Sequence, residues 1–291
     1  MKCITMIKSF VSRLFHKRNV FMNVTIRNVQ PTQLLSGRCA FITGGTSGIG
    51  YAIARVFLES GAAVVITGRT KERIDNACFQ LKKDVGHGVI MGCVLDNTNV
   101  PSFQPTIQNI LHDLGEKGVD DIDILVNNAG IPGGEIKNVL EEDYDIIMDT
   151  NLKGVFFLTK IFGEYFKENS IRGNILNVAS SSSVRPAISA YTLSKWGIRG
   201  FTLGMAKSLA PYGITVNGIA PGLTATPVFH KSTGDDLTNK NIPLGRYLLP
   251  EEIAQGALFL VSDMGRSVMG DILYMTGGAG LLSNDDIDYS F

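Results

Sequence analysis

The sequence predicts a doubly wound α/β fold, a mostly parallel sheet with helices on both faces. Three observations carry the prediction. From residue 38 onward, short apolar runs alternate with longer stretches of helical periodicity. The apolar runs are nearly unbroken, as strands buried on both faces must be. A glycine-rich turn lies between the first such run and the first helical stretch. At 291 residues the chain is long enough for one α/β domain of roughly 200 to 250 residues and a short extension. The extension is placed at 1–33 and the domain at 34–291.

Taken in order, strands are expected at 39–43, 63–67, 88–94, 122–126, 174–179, 214–219 and 272–275. Helical stretches are expected at 49–60, 71–83, 143–167, 191–209 and 251–262. Repeated alternation of this kind implies right-handed crossovers. Residues 223–245 are the exception. Gly, Pro, Thr, Asn and Asp accumulate there and periodicity weakens, which suits a loop that covers a substrate.

Bulk properties narrow the function classes. A hydrophobic fraction of 44% against 19% charged residues describes a globular chain with a sizeable core. Lys+Arg and Asp+Glu balance at 27 each, so no global charge draws the chain to nucleic acid. The four cysteines, Cys3, Cys39, Cys78 and Cys93, form no CxxC pair, and His16, His87, His112 and His230 lie far apart. This spacing predicts reduced thiols, no structural metal and a cytoplasmic setting. No run approaches the roughly 18 apolar residues of a membrane-spanning helix. The N-terminus differs from the rest. It has no acid before Glu59, and Lys2, Lys8, Arg13, Lys17 and Arg18 interrupt an apolar series. That pattern fits either a basic amphipathic helix, as a membrane contact or presequence, or an inessential extension with Met22 as the start.

Motifs supply the chemistry. The first strand runs into Thr43-Gly44-Gly45-Thr46-Ser47-Gly48-Ile49-Gly50 and then directly into a helix. Gly44 permits the tight turn, Gly48 lets backbone approach a pyrophosphate, and Gly50 lets helix and strand pack closely. The helix N-terminus then faces the phosphates of a dinucleotide, with Thr46, Ser47 and Ile49 beside them. Tyr191 and Lys195 lie four residues apart, on one face of a helix. A free phenol has a pKa of about 10, and a neighbouring ammonium is expected to favour the phenolate, making Tyr191 a usable acid and base.

The spacing Gly-x-x-x-Gly-x-Gly, with Tyr-x-x-x-Lys after the fifth strand, resembles the short-chain dehydrogenase/reductase family, and the resemblance runs nearly to the last strand. It implies a single-domain Rossmann-type oxidoreductase that interconverts an alcohol and a carbonyl. Asp96 matches the family's adenine contact, and Asn127-Asn128-Ala129-Gly130 matches its Asn-Asn-Ala-Gly element, which brings Asn128 and Gly130 to the cofactor. Asn151 matches the helix asparagine of a proton relay. Ser180 ends the fifth strand where the family places its catalytic serine, with Ser181 and Ser182 as alternatives in the same run of serines. Pro221-Gly222-Leu223-Thr224-Ala225-Thr226 resembles the element that contacts the nicotinamide end through Thr224 and Thr226. Near the C-terminus, Thr276 stands where the family more often has Asp.

The resemblance thus implies the set Asn151, Ser180, Tyr191 and Lys195, with Lys195 also on the nicotinamide ribose. It also implies a homotetramer or homodimer built through the helices holding Asn151 and Tyr191. Two other readings share part of this pattern: a sugar-nucleotide epimerase or dehydratase, and a nonenzymatic dinucleotide sensor. The first usually needs a larger C-terminal domain, and the second is expected to have lost part of the set. Cofactor choice rests on Val64-Val65-Ile66-Thr67-Gly68-Arg69-Thr70, where no acid is present to hold ribose hydroxyls. Arg69 is expected to pair with a 2′-phosphate, favouring NADP(H) over NAD(H), unless it is simply a solvated residue opening the next helix. Ile131, Pro132, Arg185, Ile188, Phe229 and His230 are expected to border a pocket for a small-molecule substrate that family resemblance does not identify.

Overall fold

The computed structural model describes residues 33–229, 232 and 235–280. The expected 1–33 extension, apart from Gln33, and the Met22 start lie outside them.

Seven parallel strands form one sheet: β1 (Cys39–Ile42), β2 (Ala63–Gly68), β3 (Ile90–Val94), β4 (Ile124–Asn127), β5 (Asn174–Val178), β6 (Thr215–Pro221) and β7 (Ile272–Met275). Their order in space is β3-β2-β1-β4-β5-β6-β7. The chain therefore reverses its direction of travel between β1 and β4. In an open α/β sheet such a reversal leaves a crevice beyond the carboxyl ends of the strands.

The crossovers are α1 (Gly48–Glu59), α2 (Lys71–Val85), α3 (Phe103–Gly115), a helix beginning as α4 (Glu141–Met148) and continuing as α5 (Gly154–Glu168), α6 (Ala190–Leu209) and α7 (Pro250–Val261). α3 lies where the sequence pattern predicts no helix. The periodicity predicts one regular helix over 143–167, whereas a π-helical turn, Asp149–Lys153, joins α4 to α5. One extra residue in a turn shifts the side chains that follow it, and such turns gather at functional sites. Asn151 lies in this one and is fully buried.

Strand alternation divides the core. Ala40 and Ile42 of β1 face α1 and α7, packing in one cluster with Ile53, Phe57, Ile253 and Ala257. Cys39 and Phe41 face the other way, with Phe103, Phe162, Phe166 and Leu209 from α3, α5 and α6. Phe41 and Phe162 stand 5.3 Å apart between ring centroids. Truncating such a ring to alanine costs about 3–5 kcal/mol.

The amino ends of the strands are pinned by side chains. Asp123 accepts from the Cys39 N–H at 2.8 Å and pairs with Arg38, which also donates to Asn174 at 2.6 Å. This leaves the carboxyl ends of β1, β4 and β5 free for the site. The irregular stretch expected at 223–245 holds a single short 3-10 turn, Pro227–Phe229, among its described residues. Among the described residues no helix is long and apolar enough to cross a membrane.

Candidate active site

The cavity lies where the sheet reverses. It has a volume of about 870 Å³ and is lined by the glycine turn, the carboxyl ends of β2 to β6 and the start of α6.

At the glycine turn, Gly44 and Gly48 adopt φ of +64° and +57°, conformations that cost little only for glycine. Gly50 is required for a different reason: a Cβ there would stand 2.4 Å from both Asn128 Nδ2 and the Gly44 carbonyl. Asn128 Nδ2 donates to the carbonyls of Thr43 and Gly44 at 2.9 and 3.1 Å. Its side chain thus ties the turn to β4. Thr43, given no role by the sequence pattern, does the reverse, its Oγ1 accepting from the N–H groups of Asn128 and Ala129 at 3.0 Å. The Ser47 side chain makes no cap bond, and Gly48, Ile49 and Gly50 of the first turn of α1 line the cavity. An open helix N-terminus suits a pyrophosphate. Beyond β2, Arg69 lines the cavity together with Arg73, a second basic residue one turn into α2. Asp96, which accepts from the Thr98 N–H at 2.9 Å, lines the same cavity.

At the other end, β5 and α6 deliver Ser180, Tyr191 and Lys195 to the cavity. Ser189 caps α6 by accepting from the Thr192 N–H at 3.1 Å, which sets the register that turns Tyr191 inward. The Ser180 hydroxyl stands near enough to the Tyr191 phenol to draw its pKa down, and its Oγ accepts from the Ser182 N–H at 3.1 Å. Ser181 and Ser182 also line the cavity, and Ser180 is the serine whose hydroxyl acts on the Tyr191 phenol. Lys195 is buried, and its Nζ donates to the Val178 carbonyl at 2.7 Å. That Nζ lies 5.7 Å from the Tyr191 ring centroid.

Asn151 is held at three points. Its Oδ1 accepts from Ile131 N–H at 2.8 Å, and its Nδ2 donates to the Ile131 carbonyl at 2.9 Å and to Ser194 Oγ at 3.2 Å. Ser194, inside Tyr-x-x-x-Lys, donates to the Tyr191 carbonyl at 2.7 Å and so couples the asparagine to α6. A Cβ on Gly130 would sit 3.3 Å from Asn151 Oδ1 and 3.5 Å from Lys195 Nζ, so the two polar ends approach one glycine. Beneath them runs a buried ladder. Asn127 donates to Thr159 and Asn177, and Asn177 donates to Thr202, at 2.9–3.0 Å. Polar residues in otherwise apolar strands were its sequence signal.

The electrostatics correct one expectation. Burial raises the Tyr191 pKa, and the nearby Ser180 hydroxyl only partly opposes it. Burial also pulls the Lys195 ammonium down to about 8. Desolvation therefore outweighs the expected lowering by Lys195, whose Nζ is bonded to a carbonyl rather than to the phenol. The resting tyrosine is a neutral phenol.

Other expected residues fall as follows. Thr224 and Thr226 line the cavity, as do Ile131, Pro132 and Arg185. Ile188 does not. It is exposed, and its carbonyl accepts from Ile136 N–H at 3.1 Å. His230 and the Phe229 side chain lie outside the described residues. Thr276 is buried beside Gly222, with its hydroxyl unpartnered among the described residues. No group of three or more His, Cys, Asp or Glu among the described residues is arranged to hold a metal.

The short chain dehydrogenase family model matches residues 38–236. This chain belongs to that family. The 3-oxoacyl-[acyl-carrier-protein] reductase FabG of Thermotoga maritima is 36% identical over 250 residues, 84% of this chain and 98% of that protein. A crystal structure of 3-ketoacyl-(acyl-carrier-protein) reductase from Brucella melitensis complexed with NADH matches with a TM-score of 0.75 and 30% identity, over 85% of this chain and 100% of that one. A short chain dehydrogenase from Burkholderia cenocepacia in complex with NADP matches with a TM-score of 0.72 and 27% identity, over 84% and 98%. As a short-chain dehydrogenase, the chain is an NAD(P)-dependent oxidoreductase that transfers hydride between the dinucleotide and an alcohol or carbonyl. The residues present fit that cofactor: the glycine turn leaves the space that a Cβ would fill, and α1 opens on the cavity without a side-chain cap.

Proposed function

We propose that this short-chain dehydrogenase prefers NADP(H) and moves the proton of its reaction through Tyr191. The observation that carries the proposal is the convergence of Ser180, Tyr191 and Lys195 in the cavity that the glycine turn also lines. When bound, the nicotinamide supplies or accepts the hydride. Tyr191, protonated at neutral pH, donates to the oxygen of a carbonyl substrate and takes the proton back in the reverse direction. Ser180 orients that oxygen and steadies charge developing on it. Lys195 holds the nicotinamide ribose and, with a pKa of about 8, remains mostly charged at pH 7, where it stabilises the phenolate left behind. Asn151, fixed by Ile131 and Ser194, holds the water through which the proton is replaced.

Gly44, Thr46, Ser47, Gly48, Ile49 and Gly50 form the pyrophosphate cradle. Asp96, Asn128 and Gly130 line the middle of the site, and Thr224 and Thr226 the nicotinamide end. The absence of a carboxylate after β2, and the pair Arg69 and Arg73 in its place, favour a 2′-phosphate. Steady-state kinetics with both cofactors, on a panel of alcohols and ketones, test this reading. NADP(H) is expected to be the more efficient by tenfold or more, with Arg69→Asp shifting preference to NAD(H). A wild-type preference for NAD(H), or an unchanged ratio in the variant, overturns the role of Arg69.

The same proposal places the catalytic domain at 34–291, with 1–33 inessential, in the cytoplasm. It also makes the protein a homotetramer or homodimer through α5 and α6, which expose Phe156, Leu193, Trp196 and Leu203. A chain starting at Met22 is expected to fold and work like the full one, and light scattering is expected to find no monomer at micromolar concentration.

A further inference from the structure

The loop between Ser180 and Tyr191 contributes a cation that the hydride-transfer chemistry does not use. Arg185 lines the cavity together with Ser180 and Tyr191. Its guanidinium has no hydrogen bond or ion pair with any described residue. It is nonetheless placed. Its carbonyl accepts from the Trp196 indole N–H at 2.8 Å, which ties the residue to α6 one turn beyond Tyr191. Its side chain lies against Gly280, where a Cβ would stand 2.8 Å from Nε and 3.0 Å from one terminal nitrogen. One other cation is near that anchor, Arg199, 5.6 Å from the Trp196 ring centroid. The acids that line the same cavity are Asp96 and Glu135, the latter paired with Ser189 through its backbone, and neither carboxylate forms an ion pair with Arg185. An arginine held at a reaction cavity without a partner among the described residues is poised to donate to the two oxygens of a planar carboxylate at once. Ile131, Leu223 and Val228 add apolar wall in the same cavity.

We infer that Arg185 is a substrate-binding residue that selects carbonyl and hydroxy compounds bearing a carboxylate on an apolar body. This rests on the hydride-transfer reading for the identity of the cavity, but its test does not need turnover. Hexanoate, methyl hexanoate and hexyl phosphate are titrated calorimetrically into the full chain saturated with NADPH, so that the cofactor covers Arg69 and Arg73. Hexanoate is expected to bind at least tenfold more tightly than the ester. Arg185→Met is expected to erase that ratio and Arg185→Lys to restore part of it. Equal binding of acid and ester by the wild type, or an acid-to-ester ratio unchanged in Arg185→Met, overturns the inference. Hexyl phosphate binding more tightly than hexanoate, with the same dependence on Arg185, overturns the choice of carboxylate. If hexanoate binds through Arg185 while no alcohol or ketone turns over with either cofactor, the hydride-transfer reading fails and the anion site stands.

Discussion

The two ends of the cavity are built from different materials. The end proposed to hold the dinucleotide, from β1 to β2, is shaped by backbone and by missing Cβ atoms: Gly44 and Gly48 at positive φ, and Gly50 against Asn128 and the Gly44 carbonyl. The end proposed to be catalytic is shaped by buried polar side chains that hold one another, from the Asn127-Asn177-Thr202 ladder to Asn151 and Ser194, and by Lys195 held on the Val178 carbonyl. The first end is local, since its turn forms within one strand-to-helix connection. The second draws on β4, β5, α5 and α6 together. A change at the first end should act through space and stability, and one at the second through proton transfer and charge.

The sharpest test of that contrast is Tyr191→Phe. Turnover is expected to fall by roughly 10² to 10⁴-fold or more while NADPH binding, followed by its fluorescence, is kept. Near-normal turnover in a folded variant would remove the tyrosine from the mechanism. Ser180→Ala is expected to lower kcat by about 10² to 10³-fold, the scale of losing one donor to a developing oxyanion, and Ser182→Ala far less. The reverse ranking would show that the wrong serine faces the substrate.

Lys195→Met tests the cost of the buried charge. In the folded protein Lys195 titrates near 8 against an ordinary 10.5. Between those values the unfolded chain binds more protons, so the wild type gains stability as pH rises from about 8 to 10.5. Below pH 8 the cost of the buried ammonium is felt in full. Relative to Lys195→Met, the wild-type unfolding free energy is expected to climb across that window by on the order of 3 kcal/mol. Urea unfolding at several pH values measures it, and a flat difference would mean that the ammonium is not desolvated.

The smallest effect is expected at the dinucleotide end. Gly50→Ala forces a methyl to within 2.4 Å of Asn128 Nδ2 and of backbone, which should cost about 1–3 kcal/mol of stability. NADPH affinity should weaken, while kcat at saturating cofactor changes little. A variant with normal stability and lowered kcat would mean that the two ends are not separable.

The sequence by itself determined the sheet, because strands buried on both faces cannot hide an apolar run, and it determined the glycine turn, because the reasons for those glycines are local. It also brought Tyr191 and Lys195 onto one helix face, since i and i+4 do so in any helix. The missing acid after β2 was legible too. Only the tertiary structure decided the rest. It showed that Asn151 sits in a π-helical turn, an irregularity that a 3.6-residue period averages away. It brought Ser180, Ser181 and Ser182 into one cavity with Tyr191, because the path of the chain after β5 depends on what β6 and α6 leave room for. It also reversed the expected pKa of Tyr191. The spacing of Tyr and Lys says that a charge is near, but the sign of the outcome depends on how much water both groups have lost, and that loss comes from elements far away in the chain.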